Sequence, residues 1–236
     1  MAGTPLDERM KGYEAVTHTH LCRKVPVIVR VDGRAFHGVT QKWPDPKPFC
    51  EPFMDAMVAA ARVLADDMQG FRLAYIQSDE ASFLLVDYDK PESEPWFGYD
   101  VQKLVSVSAA QMTLAFARAA GDNPAGVFDA RAFNVPKEEA ANCFLWRARD
   151  WARNSLEMYA RAFFSQKQLH KANRERMHEL LHGIGRNWTT DLPGRTRNGT
   201  WLIGDCVRTD VLPKYENVAA VVAPLLEPRG DDAEAA

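Results

Sequence analysis

The chain is poor in cysteine, and its four cysteines do not form the pairs that a metal or disulfide framework needs. Cys22, Cys50, Cys143 and Cys206 are far apart among the 236 residues. A zinc knuckle requires cysteines separated by only a few residues. The spacing therefore argues against a structural zinc site and favours free thiols in a reducing compartment.

Long apolar runs and an excess of positive charge are also missing. No stretch approaches the roughly 20 apolar residues of a membrane-spanning helix. The N-terminus, MAGTPLDERMKGYE, has no basic segment followed by an apolar run. We therefore expect a cytoplasmic protein without a membrane partner. Because 29 Lys and Arg stand against 32 Asp and Glu, any nucleic acid would have to bind a local basic patch.

A run of β-branched residues near the N-terminus ends in an Asp-Gly pair. Residues 27–39 read VIVRVDGRAFHGV. The Val and Ile residues predict a strand that is buried on both faces, with Asp32 at its carboxyl end. Gly33 then allows a sharp turn or a close approach to a ligand. Taken alone, the Asp-Gly pair favours a type I′ hairpin turn.

A second stretch carries two adjacent carboxylates between two apolar segments. Residues 73–86 read LAYIQSDEASFLLV, which predicts a β-hairpin with Asp79 and Glu80 at its tip. Neighbouring carboxylates repel each other, and a divalent cation is a common reason to hold them near a third. Together with Asp32, the pair suits a two-metal nucleotidyl-transfer site. The alternative is a solvated hairpin tip.

These stretches resemble the tRNA-histidine guanylyltransferase-like family, the 3′–5′ polymerases. The resemblance is carried by VRVDGRAFHGVTQKW and by AYIQSDEASF. Residues 128–131, FDAR, are similar to the FDGR strand of the family, and Trp96-Phe97 with Gln102-Lys103 resembles the segment that opens its next helix. The resemblance covers about residues 10 to 210.

The resemblance implies a set of catalytic and nucleotide-binding residues. Asp32 and Asp79 would bind two Mg²⁺ ions with the Gly33 carbonyl oxygen, and Glu80 would be a third catalytic carboxylate that orients rather than ligates. The substrates would be ATP and a nucleoside triphosphate such as GTP. The nucleotide contacts would come from Asp32, Gly33, Ser78 and Asp79, from the backbone of Arg34, Ala35, Phe36 and His37, and from Lys47 and Lys103.

The order of predicted elements indicates an α+β fold. Helical patterns cover residues 49–68 and 99–119, and strands are expected before, between and after them, the last over residues 127–135. The order β-α-β-β-α-β is that of the ferredoxin-like fold with an antiparallel sheet, which is the palm of many polymerases and nucleotide cyclases. We assign residues 1–136 to a palm catalytic core.

The chain becomes helical and locally basic after Pro136. Residues 145–197 contain eleven Lys and Arg against five Asp and Glu, interleaved with Trp146, Trp151 and Trp188. Basic residues with aromatics are typical of RNA binding, although a solvated helix face with buried tryptophans fits as well. Asn198-Gly199 signals a small hairpin. We therefore assign residues 137–228 to an RNA-binding half packed on the palm, and 229–236 to a disordered tail.

Four residues of the basic helical segment are candidate RNA ligands: Arg147, Arg149, Arg153 and Asn154. The tRNA-histidine-specific family members carry the segment HINNLY at this place, whereas residues 152–157 here read ARNSLE. Ala152 and Glu157 thus replace the histidine and the tyrosine. This difference favours the members that repair truncated tRNA 5′ ends by reading the opposite strand. The family also implies a homo-oligomer, a tetramer.

We therefore expect a nucleotidyltransferase that acts on the 5′ end of tRNA, by template-dependent repair or by guanylylation of tRNA-His. Two other functions stay open. A nucleotide or dinucleotide cyclase could use the same palm carboxylates, but the basic helical half argues against it. A non-catalytic nucleotide- and RNA-binding module is the second, and the intact Asp32, Asp79 and Glu80 argue against that.

Overall fold

The first half of the chain alternates strands and helices in the predicted order. The computed structural model describes residues 5–44 and 48–229. The elements of this half are α1 (Leu6–Ala15), β1 (Val27–Gly33), α2 (Phe36–Thr40), α3 (Glu51–Asp67), β2 (Phe71–Gln77), β3 (Glu80–Leu85), α4 (Val101–Ala120) and β4 (Phe128–Asn134). A 3-10 turn, Trp96–Tyr99, precedes α4.

The second half is mainly helical, as predicted, and ends in a hairpin and a last helix. Its elements are α5 (Ala140–Arg161), α6 (Arg174–Gly183), α7 (Trp188–Asp191), α8 (Gly194–Asn198), β5 (Thr200–Ile203), β6 (Cys206–Arg208) and α9 (Tyr215–Leu225). Within residues 5–44 and 48–229, none of the helices combines the length and the apolar character that crossing a membrane requires.

All six strands form one antiparallel sheet in the order β4-β1-β3-β2-β5-β6. The first four strands have the order of the ferredoxin-like fold, so the predicted palm is confirmed. The hairpin β5–β6 extends the same sheet beyond β2. Both halves of the chain contribute strands to one sheet. Residue 136 therefore marks a change of composition rather than a boundary between separate sheets.

One face of the sheet is covered by α3 and α4. Val27, Val29 and Val31 of β1 point to this face and are fully buried. Phe53, Met57 and Leu64 of α3 are also buried here. Next to it lies a cluster of aromatic rings at centroid separations of 4.7–6.1 Å. The rings belong to Phe36, Trp43, Phe53, Phe116 and Phe128.

The opposite face is covered by α5 and α9 over only part of its area. Ile28, Tyr75 and Leu84 are buried against Phe144 of α5 and Trp201 of β5. Side chains alternate between the two faces of a strand, so the polar residues further along β1 and β3 lie on this same face. This placement determines where a site can form.

The hairpin and the tail differ from the prediction in detail. Asn198 ends α8 rather than turning a hairpin, and Gly199 has φ 76°. A side chain at Gly199 would lie 2.6 Å from the hydroxyl oxygen of Tyr75, so this glycine permits a close approach between α8 and β2. The hairpin turns instead through residues 204–205. Arg229, predicted to begin the tail, donates a hydrogen bond to Asp89, and residues 230–236 lie outside the described part.

Candidate active site

Asp32 lies at the end of β1, beside two further carboxylates. In the sheet register it is opposite Glu80 of β3 and opposite Asp129 of β4. Directly opposite residues have side chains on the same face. Because Asp32 follows Ile28 and Arg30 at spacings of two, its side chain lies on the α5 face, where it is 42% exposed.

Gly33 brings the turn between β2 and β3 against the end of β1. Its amide donates a hydrogen bond to the Asp79 carbonyl, 3.0 Å away. A Cβ atom on Gly33 would lie 2.9 Å from Cβ of Asp79 and 2.4 Å from a ring carbon of Phe36. No side chain fits at this position. Glycine therefore allows Asp79 to lie beside Asp32, as the sequence predicted.

The two aspartates repel each other and their neighbours. Burial, followed by the charges of Asp79, Glu80 and Asp129, raises the pKa of Asp32, and Arg131 opposes these effects only in part. Burial also raises the pKa of Asp79, although a hydrogen bond from Ser78 acts in the other direction. A cation bound between these carboxylates would relieve the repulsion.

Glu80 is held by an arginine from α5. It is buried, and Arg147 donates from Nε to Oε1 at 2.7 Å and from a terminal nitrogen to Oε2 at 2.6 Å. Arg147 also reaches Asp150 at 3.3 Å. Burial lowers the pKa of Arg147, but the hydrogen bonds and charge of Glu80 outweigh it and leave that pKa raised. Glu80 therefore orients the turn next to Asp79.

This pair gives Arg147 a structural partner within the chain, and its predicted contact with RNA stays a prediction. Its side chain is only 12% exposed, and its Nε and one terminal nitrogen pair with Glu80 and Asp150. The sequence contained no local signal for the contact, since 67 residues separate the partners. Only the crossing of α5 over the sheet brings them together.

The turn after β1 presents backbone amides. Ala35 has a positive φ of 55° and leads into α2, whose first residue, Phe36, is buried in the aromatic cluster. The amides of Phe36 and His37 lie in the first turn of α2, where no intrahelical acceptor exists. The amide of Arg34 differs from the prediction, because it donates to the Val127 carbonyl at 2.9 Å.

Lys103 lies at the wrong end of the sheet to contact a nucleotide at Asp32 in the same chain. β4 begins at Phe128, which lies opposite Gly33, and the Phe128 amide donates a hydrogen bond to the Thr113 side chain on α4. Thr113 therefore lies at the end of the sheet that carries Asp32. Lys103 precedes Thr113 by ten residues, or about 15 Å of helix toward the opposite end. Asp100 caps α4 there by accepting from the Lys103 amide at 3.0 Å. Within one chain the structure therefore does not bring Lys103 to Asp32, and its role as a nucleotide ligand stays a prediction.

Lys47 lies outside the described ranges 5–44 and 48–229, so its predicted role stays a prediction. Ser78 is exposed and has φ 49°, which places it in the tight turn between β2 and β3.

A cleft of about 490 Å³ separates this turn from α5. Asp32, Ser78 and Asp79 lie on the sheet side. On the helix side, Asn154 and Glu157 are two of the residues that face them. The cleft thus brings Asn154, one of the predicted RNA ligands, to the same place as Asp32 and Asp79.

The other basic and aromatic candidates on α5 separate into two groups. Arg149 and Arg153 are exposed, and Arg153 pairs with Asp150. Trp151 is buried, as is Trp188, whereas Trp146 is 54% exposed. The prediction of a basic, aromatic surface therefore holds for only part of the segment, because two of its tryptophans belong to the core.

Ala152 and Glu157 have different environments. Ala152 is buried among Leu156, Leu181 and Trp188. Glu157 faces the cleft and pairs with Arg161. Glu157 thus places a carboxylate on the wall of the cleft.

The donor set suits Mg²⁺ rather than a metal that needs many protein ligands. In the described residues there is no group of three or more His, Cys, Asp and Glu side chains arranged around a common point. Asp32, Asp79 and the Gly33 carbonyl provide few but hard oxygen donors. Mg²⁺ retains several water molecules and binds through one or two carboxylates together with substrate phosphates, so these donors fit it.

A palm-like sheet with carboxylates at the end of β1 and in the turn between β2 and β3 is found in polymerases and in nucleotide cyclases. The comparisons with known proteins decide in favour of a nucleotidyltransferase. The family model described as tRNAHis guanylyltransferase matches residues 7–136, more than half of the chain, and the protein belongs to this family.

Two solved structures support the assignment over nearly the whole chain. A bacterial tRNA(His) guanylyltransferase (Thg1)-like protein in complex with ATP is 34% identical, with a TM-score of 0.88, and the match covers 94% of this chain and 99% of that one. A protein of the same description in complex with GTP is 31% identical, with a TM-score of 0.78 and coverages of 94% and 98%.

The tRNA(His) guanylyltransferase of Schizosaccharomyces pombe is 34% identical over 113 residues, which are 46% of this chain and 39% of that enzyme. The matched region therefore spans less than half of this relative.

Proposed function

We propose that this protein adds nucleotides to the 5′ end of tRNA in the 3′–5′ direction and selects each nucleotide by pairing with the opposite strand. The observation that carries the proposal is the meeting of Asp32 and Asp79 in a cleft whose other wall is α5, the helix that also carries the exposed Arg149 and Arg153. The complexes of similar bacterial proteins with ATP and with GTP support nucleotide substrates.

Asp32, Asp79 and the Gly33 carbonyl would hold two Mg²⁺ ions. When bound, such ions lower the pKa of an attacking hydroxyl and stabilise a leaving pyrophosphate. The remaining contributions come from the chain itself. The amides of Phe36 and His37, with the Ser78 hydroxyl, bind triphosphate oxygens, since an amide-rich turn favours anions.

The reaction consists of two successive displacements at phosphorus. Where the RNA carries a 5′-monophosphate, an oxygen of that phosphate attacks the α-phosphorus of ATP and pyrophosphate leaves. The 3′-hydroxyl of the incoming nucleotide then attacks the 5′-phosphorus of the RNA, and AMP leaves. Glu80, fixed by Arg147, keeps the turn that carries Asp79 in position through both steps.

RNA would reach the cleft along α5, where Arg149 and Arg153 bind phosphates and Asn154 contacts the acceptor end. The enzyme works in the cytoplasm, as a homotetramer.

The nucleotide is selected by base pairing rather than by recognition of tRNA-His. Ala152 is buried and has no group that could hydrogen-bond or stack on a base. Glu157 faces the cleft with a carboxylate, which repels phosphate. Neither can replace the recognition that a histidine and a tyrosine would provide.

The test uses tRNA that lacks its first nucleotide, labelled nucleoside triphosphates and Mg²⁺. The added base should follow the template base, so that changing this base from C to A switches incorporation from G to U. Addition of G alone, or dependence on a histidine anticodon, would contradict template reading. A cyclic nucleotide product or no product would contradict the transferase itself.

A further inference from the structure

Two arginines face each other on the open part of the sheet. Arg30 of β1 lies directly opposite Arg131 of β4, so both side chains are on the α5 face. Like charges in this register destabilise a sheet. Arg131 is offset by Asp129 at 3.2 Å and by Asp32 at 4.0 Å. Arg30 has no carboxylate within ion-pair distance among residues 5–44 and 48–229.

The partner of Arg30 is an exposed aromatic ring. Its guanidinium carbon lies 5.3 Å from the ring centroid of Trp146 on α5. Trp146 is 54% exposed, while the other five tryptophans are at most 6% exposed. A large aromatic residue open to solvent next to unneutralised arginine is the combination that binds single-stranded nucleic acid.

The ring is held in place from its own helix. The guanidinium carbon of Arg147 lies 4.7 Å from the centroid of Trp146, and Arg147 is fixed by two hydrogen bonds to Glu80. The network that orients the turn at Asp79 therefore also orients Trp146. A preorganised ring loses little conformational freedom when a base stacks on it.

We propose that Trp146, Arg30 and Arg131 form a subsite for a nucleotide of the RNA strand, with its base stacked on Trp146 and its phosphate bound by the two arginines. A base stacks on an aromatic ring more strongly than an exposed cation binds to it. A base can therefore displace Arg30 from Trp146, and Arg30 can then bind a phosphate. The proposal rests on the tRNA-directed function, because a polymeric anion is the ligand that this function requires.

The subsite adjoins the catalytic centre but is distinct from the contacts proposed for the triphosphate. Arg131 approaches Asp32 directly, and Arg30 precedes Asp32 by two residues on the same face, about 7 Å along the strand. The amides of Phe36 and His37 belong to α2, which packs in the core of the opposite face. An RNA strand across the open sheet would thus pass Asp32 without displacing the triphosphate.

The fluorescence of Trp146 also provides a way to measure whether a base stacks on it. Because the other five tryptophans are buried, acrylamide quenching of the intrinsic fluorescence reports mainly on Trp146. Saturating tRNA lacking its first nucleotide should protect most of the quenchable fraction, whereas GTP or ATP alone should leave it unchanged. No protection by tRNA would overturn the proposal. Protection by GTP alone would assign the ring to the free nucleotide and also overturn it.

Substitutions separate stacking from charge. Trp146→Ala should weaken tRNA binding about tenfold, while Trp146→Phe keeps a stacking ring and should bind nearly as the parent chain. Arg30→Ala should reduce the slope of log affinity against log salt by about 0.7, and Arg30→Lys should retain it. Tyr215→Ala is the matched control, since Tyr215 is 47% exposed on a different helix.

The binding measurements need no turnover, so the two proposals can fail separately. If tRNA protects Trp146 but no nucleotide is added, the subsite stands and the proposed reaction is wrong. If nucleotides are added and Trp146→Ala leaves both the Kd and the KM for tRNA unchanged, the reaction stands and the subsite is wrong.

Discussion

The two faces of the sheet use the same strands for different purposes. On β1, Val27, Val29 and Val31 point to the α3–α4 face and are fully buried. The alternate residues begin with buried Ile28 but continue with Arg30 and Asp32 on the α5 face. On one side β1 thus contributes only apolar side chains to the core, and on the other side it contributes Arg30 and Asp32 to a charged site.

The difference shows how a stable scaffold tolerates an unfavourable site. Burial and mutual repulsion raise the pKa of Asp32, so the charged face destabilises the chain when no cation is bound. The apolar face, with its packed aromatic rings, provides the compensating hydrophobic stabilisation. Substitutions on the two faces should therefore affect different quantities.

The largest effect on stability should come from the apolar face. Phe116→Ala removes a fully buried ring from the aromatic cluster and should lower the free energy of unfolding by about 3–5 kcal/mol. Leu114→Ala on the same helix is the control, because Leu114 is 52% exposed and should change stability little. Equal effects of the two substitutions in denaturant titrations would contradict the packing described.

The buried pair on the other face should be the next most sensitive feature. Arg147→Ala leaves Glu80 buried without a partner, which should lower the free energy of unfolding by about 3 kcal/mol. The double variant Glu80→Gln/Arg147→Met removes both charges and should recover much of that loss, but not the activity. Arg149→Ala, an exposed change on the same helix, is the control for stability only, because Arg149 is proposed to bind RNA. Full activity of the double variant would remove Glu80 from its orienting role.

Local sequence patterns were sufficient to predict the strand order and the positions of Asp32 and Asp79. Both aspartates end apolar runs, and the strand order places those ends together. The prediction that β1 is buried on both faces was wrong at its carboxyl end, because a cleft separates Asp32 from α5. Local patterns could not predict the Glu80–Arg147 contact or the position of Lys103, since these depend on how α5 crosses the sheet and in which direction α4 runs.

Asp32 and Asp79 should control activity. Asp32→Asn or Asp79→Asn should each lower kcat/KM for nucleotide addition by at least about 10²-fold, the scale for losing a principal electrostatic stabiliser. Asp205→Asn changes a fully exposed carboxylate and should leave activity unchanged. Near-normal turnover of either active-site variant would exclude the assigned metal-binding role.

The same aspartates should make stability depend on pH when divalent cations are absent. Their pKa values are raised in the folded chain, so protonation at low pH favours folding. The contribution is therefore lost as pH rises through the folded-state pKa, above the usual carboxyl value near 4. Asp32→Asn should flatten this part of the profile and raise Tm at pH 7. A lower Tm for this variant would contradict the repulsion described.

The smallest expected effect is on the salt dependence of RNA binding along α5. Arg149→Ala and Arg153→Ala each remove an exposed guanidinium group, and each should reduce the slope of log affinity for tRNA against log salt by about 0.7. Arg153 already pairs with Asp150, so its effect should be the weaker of the two. Arg118→Ala is the control, since Arg118 is exposed on α4, which covers the opposite face. An equal change of slope for Arg118→Ala would mean that the electrostatic attraction is spread over the whole chain rather than concentrated on the face that carries Asp32.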